Sequence, residues 1–176
     1  MEPQEALRSH RQRNTISGSY QDLVVDRHSS TIIRDLFKKF KRGELDIRKT
    51  PDVTFLGEDG IDAFGLTKEF FHLVMNAIKN GQGGYILFEG QQDHLVPVIC
   101  EEYNQSGYFR YVGMLIAMSM LHGGCGFVGL SRAISSYMVT DDIITASACL
   151  SIKDVPDYSV QEALSQVLSR SIEDNP

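Results

Sequence analysis

Long apolar runs are missing from this chain. Its most apolar stretch, Tyr108 to Leu121, spans 14 residues and is interrupted by Arg110 and Ser119, well short of the roughly 20 residues that a membrane span requires. No membrane partner is expected. The first 20 residues are polar and hold no apolar segment of the secretory kind. Cysteine is scarce: Cys100, Cys125 and Cys149 stand far apart in the chain. An odd, widely spaced set fits neither a disulfide framework nor a zinc site, whose ligands come in closely spaced pairs. The three read as reduced thiols of a cytoplasmic and/or nuclear protein, and neither a metal nor a cofactor is expected. A surplus of positive charge is missing too. The 17 Lys and Arg face 23 Asp and Glu, for a net charge of −6. Residues 1–50 carry 11 basic and 7 acidic groups, net +4, and the remainder is net −10. Such an acidic body speaks against a nucleic-acid partner, because phosphate contacts require clustered Lys and Arg. Only Arg8, Arg11 and Arg13, and the run Lys38, Lys39, Lys41, Arg42, form basic groups.

What is present is ordinary for a globular chain: 42% hydrophobic and 23% charged residues in 176. One domain is expected, burying roughly 70% of the surface of its unfolded form. Residues 1–22 read as an N-terminal tail, 23–170 as the folded body and 171–176 as a C-terminal tail. The first 19 residues have no apolar periodicity beyond a short turn around Ala6 and Leu7, and 20–25 reads as a short strand or an extended lead-in.

From Ser30 to Arg42, Ile33, Leu36, Phe37 and Phe40 share one helical face, with Ser29 or Ser30 as cap and Gly43 as stop. The basic residues then occupy the solvated face near the negative end of the helix dipole, a nucleic-acid or acidic-partner patch being the alternative. Pro51 to Leu56 alternates as a strand, and glycines punctuate 57–65 as a turn. A helix over 65–79 should bury Leu66, Phe70, Leu73, Val74 and Ala77. Residues 85–88 and 94–100 bracket a β-hairpin, with Pro97 at an edge. A central helix over 107–122 carries Tyr108, Val112, Leu115, Ile116 and Ser119 on one face and Met114, Met118 and Met120 on others. Further helices should cover 130–139 and, capped by Ser159, a last segment that buries Ala163, Leu164, Val167 and Leu168. The fold class is α+β, mostly helical, with a small antiparallel β-hairpin or sheet.

Isolated chemistry is thin. The glycines at 57 and 60, and at 123, 124 and 126, match no phosphate-loop pattern and read as turn residues. His122 and Cys125 lie three apart and would make a nucleophile–base pair only if they touch, so a structural His at a helix end and a small buried Cys are the simpler reading. Glu58, Asp59 and Asp62 lack calcium-loop spacing and read as turn and capping carboxylates. Glu69 sits beside Phe70 and Phe71 and needs a cation, for which Lys68 and Arg110 are candidates.

Four ordered pieces carry more. Val53-Thr-Phe-Leu-Gly-Glu-Asp-Gly-Ile-Asp62 followed by Gly65-Leu-Thr-Lys-Glu-Phe-Phe71 resembles the HECT ubiquitin-ligase pattern V-x-F-x-G-E-x-G-x-D-x-G-G-x-x-R-E-F/W-F. Tyr85 to Glu89 resembles its G-L-F-E strand, Tyr108 to Ala117 with His122-Gly123 its Y-F-x-F-x-G helix, and Asp154-Val-Pro-Asp157 its D-[LV]-x-x-x-D region. The likeness runs from about Val24 to Leu168 and is similar in flavour to the divergent G2/M-phase-specific ubiquitin-ligase-like group. It implies the amino-terminal part of the family's N-lobe, acting within a ubiquitin ligase, or a non-catalytic interaction module derived from one. Gly57, Glu58, Gly60, Asp62, Gly65, Glu69, Phe70, Phe71, Tyr108, Phe109, Gly113 and His122 are the matching structural positions. Ubiquitin or a ubiquitin-conjugating enzyme, besides other proteins, is the implied partner, with Leu87, Phe88, His94 and Leu95 as contacts. Gly90 and His94 stand near where some members present tyrosines to a non-covalent ubiquitin. No cysteine here has the family's T-C setting, so no catalytic residue is assigned. Phe64 replaces a glycine of the pattern, which implies a changed turn, and Lys68 replaces its arginine.

Overall fold

The α2 segment shows how pattern becomes structure. Ile33, Leu36, Phe37 and Phe40 recur at helical spacing, and in the computed structural model, which describes residues 2–28, 30–58 and 63–173, they are buried along α2 (Ile32–Lys41). Thr31 stands at the cap position and gives its hydroxyl to Asp35 (2.7 Å), so Ser30 is not the cap. Ser29 lies outside the described residues, as do Asp59, Gly60 and Asp62. Gly43, at φ +70°, follows the end of the helix in a conformation that a side chain resists.

The elements group into two compact units, Met1–Leu87 with Cys100–Phe127, and Phe88–Ile99 with Val128–Pro176. The first begins with α1 (Pro3–Asn14), a full helix where the sequence suggests a tail with only a short turn around Ala6 and Leu7. This helix buries no residue and therefore leaves no apolar periodicity in the sequence. Arg11 Nε holds it by donating to the Met120 carbonyl (2.6 Å). Strands β1 (Tyr20–Val25) and β2 (Thr50–Phe55) then pair in parallel. The hydrogen-bonded turn of α2 lies between them in sequence, and their inner faces bury Leu23, Val25, Val53 and Phe55. Helix α3 (Ala63–Lys79) packs on β2. It buries Phe70, Val74 and Ala77 as expected, but Leu66 and Leu73 are only half-buried, and Phe71, Met75 and Ile78 take their place. Position 64 is helical backbone within α3. Among the described residues the one non-glycine at positive φ is Asp141, so position 64 needs no glycine here. Helix α4 (Glu101–Gln105) turns at Gly107 into α5 (Tyr108–Leu121), which buries Val112, Leu115, Met118, Ser119 and Leu121. Tyr108 and Ile116 are half-buried, while Met120 and Gly113 face out, so α5 is not covered all round.

In the second unit the hairpin is short, with β3 (Phe88–Glu89) antiparallel to β4 (Val96–Pro97). Leu95 also bridges to Leu130. Helices α6 (Arg132–Thr140) and α7 (Ile143–Ser147) pack on one another, with side-chain caps from Ser131 and Asp142. The last helix, α8 (Tyr158–Glu173), is capped by Asp157, whose carboxylate accepts the Ser159 and Val160 amides (2.8 and 3.2 Å), not by Ser159. Its expected core stripe is not buried: Ala163, Leu164, Val167 and Leu168 are exposed. The helix-rich α+β class stands.

Candidate functional site

The glycine-and-acid corner after β2 is organised by Arg27, a residue no sequence pattern singled out. Gly57 turns the chain at φ +80°, which brings Glu58 back toward the end of β1. Arg27 Nη2 donates to Glu58 Oε2 (2.6 Å) and Nη1 to Glu69 Oε1 (2.7 Å). Its Nε lies 2.5 Å from Glu58 Oε1 as an ionic contact, without the alignment of a hydrogen bond. The guanidinium carbon stands 4.2 Å from the centre of the Phe55 ring. One planar cation thus ties two carboxylates and an aromatic face, which suits arginine and not lysine. The partner of Glu69 is Arg27, and neither Lys68 nor Arg110. The link joins residues 42 apart, so local spacing held no signal for it. Beneath the corner Phe70 and Phe71 are wholly buried, their rings 5.2 Å apart. Gly65 is exposed in the first turn of α3.

The α5 matches serve packing. Tyr108 stacks on Phe37 (5.2 Å) and meets Tyr85 edge-on (5.1 Å). Burial, together with the neighbouring Tyr108, raises the Tyr85 phenol above its ordinary value. Phe109 is half-buried, and Gly113 is exposed with open space where a Cβ would stand. His122 ends α5 and gives Nε2 to the Ile47 carbonyl (2.9 Å). Burial pushes its imidazole below the ordinary 6.5, against the pull of that carbonyl and with help from Arg11. Among the described residues no hydrogen bond joins His122 to Cys125; the Cys125 carbonyl accepts the Ser119 hydroxyl. The three cysteines are free thiols. A neutral His122 in the fold means the unfolded chain takes up its proton first. Stability should therefore be complete above about pH 6.5 and decline as pH falls toward the folded value. His122→Gln, which keeps a donor for Ile47, should flatten that part of a melting-temperature profile between pH 7 and 5.

The hairpin positions fare differently. Leu87 is 0% and Leu95 5% exposed, so both are core side chains and offer a partner almost nothing. Phe88 is half-buried, and His94 turns its Nδ1 to Asp154 (2.8 Å). Gly90 has φ +104°, and a Cβ there would stand 2.8 Å from the His94 carbonyl. The turn thus excludes a tyrosine at that place. Asp154 also accepts the Ser151 amide (2.8 Å) and the Ser131 hydroxyl. Burial works to raise its carboxyl, but these three donors hold it below the ordinary carboxylate value.

No family model matches. The probable E3 ubiquitin-protein ligase HECTD2 of Mus musculus is 30% identical over 115 residues, 64% of this chain and 14% of that protein. The E3 ubiquitin-protein ligase Smurf1 of Drosophila melanogaster is 31% identical over 84 residues, 46% of this chain and 8% of that protein. The probable E3 ubiquitin-protein ligase HERC4 of Homo sapiens is 27% identical over 116 residues, 65% of this chain and 10% of that protein. The chain contains a HECT-related region. It spans only a small part of the length of each relative.

Proposed function

We propose that this HECT-related chain is a segment of the N-lobe of a ubiquitin ligase or ligase-like protein, a scaffold that works in ubiquitin conjugation without a catalytic cysteine of its own. The corner carries the reading: Glu58 and Glu69, both positions of the HECT pattern, are drawn together by Arg27 over Phe55. The partial matches to E3 ligases support it. Partners are then ubiquitin or a ubiquitin-conjugating enzyme, engaged through a fuller domain, and the free thiols suit the cytoplasm or nucleus. None of the three cysteines has the T-C setting. Incubated with ubiquitin-charged conjugating enzyme, the chain should form no thioester, and a reductant-sensitive ubiquitin adduct would overturn the scaffold reading.

The burial of Leu87 and Leu95, and the closed turn at Gly90, favour a second reading: an interaction module that has left ubiquitin chemistry. Titration of the isotope-labelled chain with ubiquitin separates the two. Resonance shifts clustered over residues 87–96 support ubiquitin contact, and their absence at saturating ubiquitin supports the module.

A further inference from the structure

The β1–β2 pair has one closed edge and one open edge. Its register runs from Tyr20 opposite Thr50 to Val25 opposite Phe55. The Thr50 amide donates to the Ser19 carbonyl and the Leu56 amide to the Val25 carbonyl, both at 2.9 Å. Residues of a parallel strand alternate between facing the partner and facing away. Gln21, Leu23 and Val25 therefore turn amide and carbonyl toward β2, and Tyr20, Asp22 and Val24 turn theirs outward. Among the described residues no hydrogen bond reaches those three outward backbone pairs. The edge of β2 is shut. Pro51 has no amide proton, its carbonyl lies 3.4 Å from the Thr67 hydroxyl, and α3 packs along the strand.

A groove of about 180 Å³ runs beside the end of β1, between the strand and α2. Val24, Ile32, Leu36 and Leu56 give it an apolar lining. Val24 is 55% and Leu56 60% exposed. Asp26 borders the groove and Asp22 sits on the open edge, whereas the groove's Lys39 leans to Glu44 (3.8 Å).

We propose that the outer edge of β1 is a docking site for an extended segment of another protein, which adds to it as a third strand. Only an extended main chain presents donors and acceptors at the two-residue repeat of Tyr20, Asp22 and Val24. The groove takes an aliphatic side chain, and Asp22 and Asp26 call for Lys or Arg on either side of it. A second copy of β1 is a poor occupant. Antiparallel self-pairing about Asp22 sets that carboxylate against itself, and like charges directly opposite repel. Such a charge on an edge also guards against indiscriminate pairing.

The test uses the full chain, nitrogen-15 labelled, and the peptide Lys-Val-Lys-Ile-Arg-Val-Lys. On saturation the Tyr20, Asp22 and Val24 amides should gain at least about tenfold protection from hydrogen exchange, while Gln21, Leu23 and Val25, already bonded inward, stay unchanged. The same peptide N-methylated at alternate residues should bind at least about tenfold more weakly, as should one with Glu in place of Lys and Arg. Val24→Pro deletes one outward donor and no inward one, and should abolish binding with the circular dichroism spectrum retained. Unchanged exchange at the three amides, or equal binding of the N-methylated peptide, overturns the proposal. So does protection of those amides in the free chain together with sedimentation as a dimer, which would assign the edge to a second copy.

Discussion

Gly124→Ala is expected to destabilise the first unit by about 3 kcal/mol, the upper end of what overpacking a core costs. A Cβ at this position would lie 2.5 Å from Phe71 Cδ2, 2.8 Å from Phe71 Cβ and 2.5 Å from Ser119 Oγ. Neither neighbour is free to move. Phe71 and Ser119 are both 0% exposed, and the Ser119 hydroxyl is engaged by the Cys125 carbonyl. The Gly124 amide is itself fixed on the Ser119 carbonyl (2.8 Å), so the backbone cannot easily back away. Phe71→Ala alone should cost about 3–5 kcal/mol by emptying a buried site. The double substitution should cost less than the two singles together, because the cavity left by the ring admits the new methyl group. Urea unfolding of the four proteins measures this. A loss below about 0.5 kcal/mol for Gly124→Ala, or strict additivity, would show that the glycine does not answer to the ring.

Asp154→Ala should destabilise the second unit by about 2–3 kcal/mol. Its carboxylate, 5% exposed, collects the His94 ring, the Ser151 amide and the Ser131 hydroxyl. Ser131 in turn caps α6 through the Ala133 and Ile134 amides (3.2 and 3.4 Å). Removing the acceptor strands buried donors, whose desolvation is then uncompensated. The sign with pH follows from the depressed carboxyl. The stabilisation is fully present above the unfolded value of 3.8 and is lost as pH falls through the lower folded value. Acid unfolding of the native chain between about pH 4 and 2 should therefore be steeper than that of the variant. Parallel acid titrations of the two would contradict the assignment.

Periodicity made α2, α3 and α5 legible because each presents a continuous apolar face to a core, and alternation did the same for β2. The signal failed where burial did not follow apolarity. Helix α1 is mostly polar, with Ala6 and Leu7 too few to make a buried stripe, and is held by Arg11 on a backbone carbonyl, a contact 109 residues away that has no local trace. Helix α8 has the apolar spacing of a core element, yet among its described side chains Gln161 alone is buried, fixed on the Lys153 and Val155 carbonyls. In the candidate site the glycine and acid positions could be read from the sequence, but the cation that unites them could not. Lys68 was nearer in sequence than Arg27, and only the parallel pairing of β1 with β2 brings Arg27 to Glu58 and Glu69. At the hairpin, sequence likeness marked Leu87 and Leu95 as contacts. Each stands just before a two-residue strand, and its side chain fills the interior, a burial that local sequence likeness does not report.

The bare aliphatic surface of α6, α7 and α8 bears on how the purified chain behaves in a tube. Met138, Val139, Ile143, Ile144 and Leu164 are each more than 40% exposed. Greasy area on this scale makes molecules adhere to one another and to plastic. The net charge of −6 opposes that by mutual repulsion. Colloidal behaviour then hinges on ionic strength: low salt should keep the solution clear, and added salt, by screening, should bring turbidity at concentrations where a better-covered protein stays dispersed.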